Sequence, residues 1–163
     1  MSRLIASGLG VGFLRPAPGT WGSALAVLLA WALLGIGGVW LFVAALALLV
    51  PVGWFAVADT LRLTAEADPP WIVVDEVAGQ WVALLPAALG SALMGVEPLR
   101  LWPAWVAGFV LFRLFDIWKP WIVGRGERQP GAGGVMLDDL AAGLLAALGV
   151  VALAALAHLG LMR

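Results

Sequence analysis

The chain has 163 residues, 63% hydrophobic and 12% charged, with mean hydropathy +1.03 and a formal net charge of −1. A water-soluble domain of this length is nearer half apolar and a quarter charged, so a soluble globular fold is excluded. Cysteine is absent, which removes disulfides, thiolate metal sites and cysteine nucleophiles.

The fold expected is an all-α, polytopic membrane helix bundle, one domain over 1–163. Arg3 precedes an apolar run, 4–14, in which Gly8, Gly10 and Gly12 alternate. Arg15-Pro16 and Pro18-Gly19 stand where a secretory signal needs small residues for cleavage, so the run reads as a buried or interfacial arm. Pro18-Gly19-Thr20-Trp21-Gly22-Ser23 reads as a turn and a helix start, with Thr20 a candidate N-cap.

Five apolar segments follow, at about 21–34, 39–58, 71–94, 101–118 and 135–161. The first is short for a crossing at about 1.5 Å per residue, so it is a tilted or re-entrant segment; counted as a span, it makes five. Gly35-Ile36-Gly37-Gly38 separates the first two segments, Pro51 is expected to kink the second, and Pro86 interrupts the third. Polar loops at 59–70 and 119–134 complete the chain; Arg125, Glu127 and Arg128 lie in the second.

Arg3, Arg15, Arg62, Lys119, Arg125 and Arg128 fall on one side, with Arg113 near its edge, whereas Arg100 and Arg163 fall on the other. The Lys/Arg excess makes the first side cytoplasmic. Trp21, Trp71, Trp118 and Trp121 mark that interface, and Trp40, Trp102 and Trp105 the opposite one.

Successive spans are antiparallel. The start of span three, the end of span four and the start of span five therefore share one side, which brings together Asp75-Glu76, the series Arg113, Asp116, Lys119, and Asp138-Asp139. The start of span one, with Thr20 and Ser23, lies there too. The five carboxylates outnumber the two cations by three, an excess that cannot be buried without cations or protonation. Carboxylates without nearby His or Cys are hard oxygen ligands suited to Mg²⁺, Mn²⁺ or Ca²⁺, and one or two ions restore balance. Arg113 can grip phosphate oxygens in a fork and Lys119 can act as a point charge. Thr20 and Ser23 with the start of span one, and the glycines Gly131, Gly133 and Gly134, offer an anion further contacts. These features point to a metal-dependent phosphate site.

Taken singly, each cluster has a plain structural reading. Arg113 and Asp116 suit a helix-end ion pair. The acidic pairs suit helix N-termini, where they favour the dipole. Asp59, Glu66 and Asp68 suit loop solvation or gating, and His158 suits packing or an interface at the far end of span five. Gly143 and Ala147 suit helix packing. The convergence of three charged groups on one side is what the plain reading does not explain.

Four blocks resemble the phosphatidylglycerophosphatase A family of bacterial membrane lipid phosphatases. They are Pro18-Gly19-Thr20-Trp21-Gly22-Ser23, Ile72-Val73-Val74-Asp75-Glu76-Val77-Ala78-Gly79, Phe112-Arg113-Leu114-Phe115-Asp116-Ile117-Trp118-Lys119-Pro120 and Gly134-Val135-Met136-Leu137-Asp138-Asp139. The resemblance implies Mg²⁺-dependent hydrolysis of phosphatidylglycerophosphate to phosphatidylglycerol and phosphate, at the cytoplasmic face of a bacterial inner membrane. On that reading Asp75, Glu76, Asp116, Asp138 and Asp139 are catalytic and metal-binding, and Arg113, Lys119, Thr20 and Ser23 hold the phosphate. The partners expected are the lipid substrate and the bilayer, not nucleic acid, and the oligomeric state is left open. The chain departs from the family in Gly131-Ala132-Gly133-Gly134, and in Trp121-Ile122, where a second proline often follows. The rival reading is an ion-coupled transporter using membrane carboxylates, which would place its charges near the midplane in broken, repeated segments.

Overall fold

The computed structural model describes residues 1–64, 66, 68–120 and 131–161, with the side chain of 161 excepted. Arg125, Glu127, Arg128, Trp121 and Arg163 lie outside the described residues. The elements are α1 (Ser2–Ala6), a 3₁₀ turn (Val11–Phe13), α2 (Pro18–Leu61), α3 (Val74–Met94), a second 3₁₀ turn (Pro98–Leu101), α4 (Trp102–Trp118) and α5 (Ala132–Leu161). No strand occurs among the described residues. α2, α3 and α5 are each long and apolar enough to cross a bilayer, as is the stretch Pro98–Trp118 that contains α4.

α2 is 44 residues long, about 66 Å of helix at 1.5 Å per residue, roughly twice the hydrocarbon thickness. It is broken at Gly38, whose φ of 69° and ψ of −167° are non-helical. A Cβ on Gly22 would touch Val73, and one on Gly53 would touch the adjacent Val74. Residues on opposite sides of the break, at nearly equal distance from it, thus reach the same height on α3. The two arms, 18–37 and 39–61, are antiparallel, and α2 is a helical hairpin that supplies two spans.

This arrangement revises the sequence reading in detail. The break is confined to Gly38, while Gly35 and Gly37 remain helical. A left-handed φ is open to glycine without steric cost, so one residue suffices to reverse the chain. The first arm is 20 residues long, about 30 Å, and needs no re-entrant geometry. Pro86 lies within continuous helix and does not interrupt it, and Pro51 also lies within helix. The third helix starts at Val74 rather than near 71: Val73 is its N-cap, with a non-helical φ of −139° and ψ of 4°, and its N–H donates to the Ala6 carbonyl at 2.9 Å.

α3 is the central helix. Trp81, 5% exposed, donates from Nε1 to the Ala26 carbonyl at 2.8 Å and packs on Phe42 with ring centroids 5.4 Å apart. One side chain therefore keys α3 to both arms of the hairpin. The other side of α3 meets α5 and α4 through glycines: a Cβ on Gly79 would strike the Asp139 carbonyl and the Phe112 ring, and one on Gly143 would strike the Gly79 carbonyl. Small residues let helix backbones approach closely where lipid provides no hydrophobic drive between them. Gly108 of α4 packs likewise beside the Ala83 carbonyl.

The N-terminal arm closes over the start of α3. Gly8 packs on Val73 and Gly12 on the Trp71 carbonyl. Trp21, Trp40, Trp102 and Trp118 are exposed, as an interfacial belt requires. Trp105 is not part of that belt: it is buried and donates to the Pro98 carbonyl at 3.1 Å. His158 is exposed on α5, so it does not pack in the core.

Candidate active site

A cavity of about 660 Å³ opens at the end of the bundle where α2, α3 and α5 begin and α4 ends. Asp75, Glu76, Arg113, Asp116, Lys119, Asp138 and Asp139 all line it. The span count had placed these groups on one side, and the tertiary structure places them around one space.

Within the cavity the charges sort themselves. Arg113 Nη1 lies 2.6 Å from Asp116 Oδ2, one turn along α4. Lys119 Nζ lies 3.4 Å from Asp138 Oδ2, across from α4 to α5. Among the described residues, each of these two cations thus pairs with a carboxylate. The carboxylates of Asp75, Glu76 and Asp139 are left together, with one oxygen from each within 4.8 Å of the others. Among the described residues none of these three has a salt bridge. Asp75 and Asp139 are 7% and 5% exposed, and Asp75 Oδ1, Glu76 Oε2 and Asp139 Oδ2 are buried atoms with no hydrogen-bond partner.

Two buried carboxylates and a half-buried one, none with a salt bridge among the described residues, repel one another and are poorly compensated for lost hydration. A hard divalent cation fits the donor set, because all three ligands are oxygen and each orphaned atom would gain a bond. Three protein ligands also leave coordination positions for water or phosphate, the usual habit of Mg²⁺.

Local sequence explains the placement. Asp75 and Glu76 stand in the first turn of α3, where the dipole favours acids. The Asp138-Asp139 pair does not share that explanation. α5 begins at Ala132, its first turn holds no acid, and the pair lies about 9 Å further along the helix. The helix-dipole reading of this pair is therefore set aside.

Gly19 permits the approach of α2. A Cβ there would strike the Glu76 carboxylate and lie 3.2 Å from Arg113 Nη1. Ala17, Pro18 and Gly19 line the cavity, and Gly19 N–H, in the first helical turn, has no intrahelical acceptor. Ala17 is the N-cap residue, so the N-cap role expected of Thr20 is not realised. Thr20 sits in the third helical position and does not line the cavity, whereas its neighbour Gly19 does.

Ser23 is fully buried behind the cavity wall. Its hydroxyl donates to the Gly19 carbonyl at 2.9 Å and accepts from Arg113 Nη1 at 3.4 Å. That places Ser23 against the guanidinium rather than against a ligand. Lys119 caps α4 with a left-handed φ of 45°. Gly131 and Gly134 line the cavity while Gly133 does not.

Two residues gain importance over the sequence reading. Asp68, assigned there to solvation or gating, lines the cavity. Gln80, not singled out at all, is fully buried with neither amide atom partnered, four residues after Glu76. The signal was present, since an i, i+4 step puts a polar amide on the acid's face of an apolar helix.

The model of the family described as "Phosphatidylglycerophosphatase A" matches residues 4–154. A phosphatidylglycerophosphatase A from Haemophilus influenzae is 35% identical over 92% of this chain and 86% of its own length. One from Escherichia coli is 33% identical over 88% of this chain and 78% of its own. A third relative, from Bacteroides thetaiotaomicron, is 37% identical over 86% of each chain, and its name provisionally makes it a phosphatidylinositol-3-phosphatase. No solved structure matches. The match spans every charged residue lining the cavity, and the chain belongs to the phosphatidylglycerophosphatase A family.

Proposed function

We propose that this chain hydrolyses the terminal phosphate of phosphatidylglycerophosphate at a bacterial membrane, with Mg²⁺ held by Asp75, Glu76 and Asp139. The observation that carries the reading is the uncompensated carboxylate trio beside Arg113 in a cavity at one end of apolar helices. Family membership supplies the substrate class.

Bound there, a divalent cation supplies charge neutralisation and Lewis-acid polarisation of a phosphoryl oxygen. The remaining work falls to the chain. Arg113, held by Asp116 and Ser23, presents its other N–H groups to equatorial phosphate oxygens. Lys119 adds positive charge opposite, beside Asp138. Gly19 N–H and the first turn of α2 offer a donor and a favourable dipole to the anion. A cluster carboxylate accepts a proton from the attacking water as the water oxygen bonds to phosphorus; the bond from phosphorus to the glycerol oxygen breaks, and that oxygen takes a proton from solvent to leave as the alcohol. The acyl chains stay in the bilayer while the headgroup enters the cavity. The active site faces the cytoplasm, on the side richer in Lys and Arg.

The transporter reading finds no support. The acids lie near the ends of their spans rather than at mid-depth, and they converge on a cavity open at one end.

Phosphate release from detergent-dispersed phosphatidylglycerophosphate tests the proposal, with Mg²⁺ or chelator, in wild type and Asp139→Asn. Release confined to wild type with Mg²⁺ is expected. Equal release in all four conditions would sink the chemistry. Faster release from phosphatidylinositol 3-phosphate would move the substrate toward that named for the third relative.

A further inference from the structure

Gln80 lies in the interior of α3, fully buried, and among the described residues neither its Oε1 nor its Nε2 has a hydrogen-bond partner. A primary amide offers two donors and an acceptor, and leaving all of them unmade in an apolar surrounding is costly. Val77, Trp81 and Leu84, its neighbours along the helix, are buried and mostly hydrocarbon, so packing alone would favour an apolar side chain here. Gln80 does not line the candidate active site, so it does not reach substrate directly.

Its place in the bundle supplies partners. Gln80 follows Glu76 by four residues, which puts the two side chains on one face of α3, one turn apart. Glu76 Oε2 is itself a buried acceptor without a partner. Arg113 faces the same place, because Glu76 Oε1 and Arg113 Nη1 both converge on Gly19. α3 and α4 are antiparallel and touch where Gly108 packs on the Ala83 carbonyl. Counting five residues from that contact along each helix sets Arg113 level with Ala78, between Glu76 and Gln80. Arg113 Nε, the guanidinium nitrogen nearest the α4 backbone, is a buried donor without a partner. One layer of the bundle thus holds two orphaned donors, Gln80 Nε2 and Arg113 Nε, and two orphaned acceptors, Glu76 Oε2 and Gln80 Oε1.

We propose that Gln80 is a positioning residue for Glu76, a role that rests on the reading of Asp75, Glu76 and Asp139 as ligands of a divalent cation. Its Nε2 donates to Glu76 Oε2, and its Oε1 accepts from Arg113 Nε. Charge fixes the amide's orientation, with the NH₂ toward the acid and the oxygen toward the base. The terminal torsion of glutamine is broad, so rotation about it brings both bonds within reach. A neutral amide suits this place. Lysine or arginine would hold Glu76 but would also offset the negative charge that a cation needs. The amide fixes the direction of the carboxylate and leaves its charge available.

Binding of Mn²⁺ to the full chain in detergent, without substrate, tests the role; electron paramagnetic resonance reads the free ion. Gln80→Met keeps the volume and removes both amide contacts. It should weaken Mn²⁺ binding about tenfold. Leu84→Met, one turn further along the same face and also fully buried, should leave the affinity at the wild-type value. Should Gln80→Met not fold, Gln80→Leu reads the same quantity, and failure of both to fold would assign the amide to structure and overturn the proposal. Equal affinity in wild type and Gln80→Met, or equal weakening in Leu84→Met, would overturn the positioning role and leave the cation site standing. A wild type that binds no Mn²⁺ would remove the cation reading, and this role with it.

Discussion

Gly79 of α3 and Gly143 of α5 meet backbone to backbone, each four residues after an acid of the carboxylate trio. Asp75 and Gly79 share a face of α3, and Asp139 and Gly143 share a face of α5. The glycine contact therefore fixes both the closeness and the relative height of the acids one turn away. Gly143→Ala should cost about 1–3 kcal/mol by overpacking against a carbonyl that cannot swing aside. It should lower phosphate release about a hundredfold by moving Asp139. Gly149→Ala is the control, because its Cβ would meet only the Leu111 side chain. Thermal unfolding and phosphate release on both variants decide the matter; equal effects would remove the special role of the contact.

The uncompensated trio predicts opposite effects with and without metal. Asp139→Asn should raise the unfolding temperature in chelator, since it relieves repulsion among buried acids. The same variant should lose most of the stabilisation that Mg²⁺ confers on wild type, and on the order of a hundred- to a thousandfold in activity. Differential scanning fluorimetry with and without Mg²⁺ reads both signs. A destabilised apo variant would contradict the electrostatic account.

Ser23 orients Arg113 and does not face the cavity. Ser23→Ala should lower kcat about tenfold while leaving the Mg²⁺ concentration for half-activity unchanged. A shifted Mg²⁺ requirement would mean that Ser23 acts on the metal cluster instead.

Lys119 occupies a left-handed conformation that glycine adopts more readily. Lys119→Gly and Lys119→Ala should lose activity equally, because both remove the cation beside Asp138. The glycine variant should be more stable than the alanine variant by about 1 kcal/mol. Activity retained in Lys119→Gly would reduce the residue to a helix terminator.

Trp81 serves as a structural control. Trp81→Phe removes the hydrogen bond to the Ala26 carbonyl and should cost about 1 kcal/mol or more of stability. The Mg²⁺ requirement should not change, since Trp81 keys α3 to the hairpin well below the cavity.

The residue sequence by itself settled the solvent, the helical class and the end of the bundle at which Asp75, Glu76, Arg113, Asp116, Asp138 and Asp139 gather. Apolar length demands spans, and the alternation of antiparallel spans assigns each acid an end. It also carried the four blocks that mark the family. The i, i+3 spacing on α4 already offered Arg113 and Asp116 as an ion pair. What it could not assign was pairing between helices. Spacing along one helix shows which residues share a face, but not which face turns toward which neighbour. Only the packed bundle gives Asp138 to Lys119, turns Ser23 behind the wall, leaves Thr20 off the cavity, and isolates Asp75, Glu76 and Asp139. Those outcomes depend on helix rotation and depth, which the contacts at Gly19, Gly79 and Gly143 and the reversal at Gly38 decide.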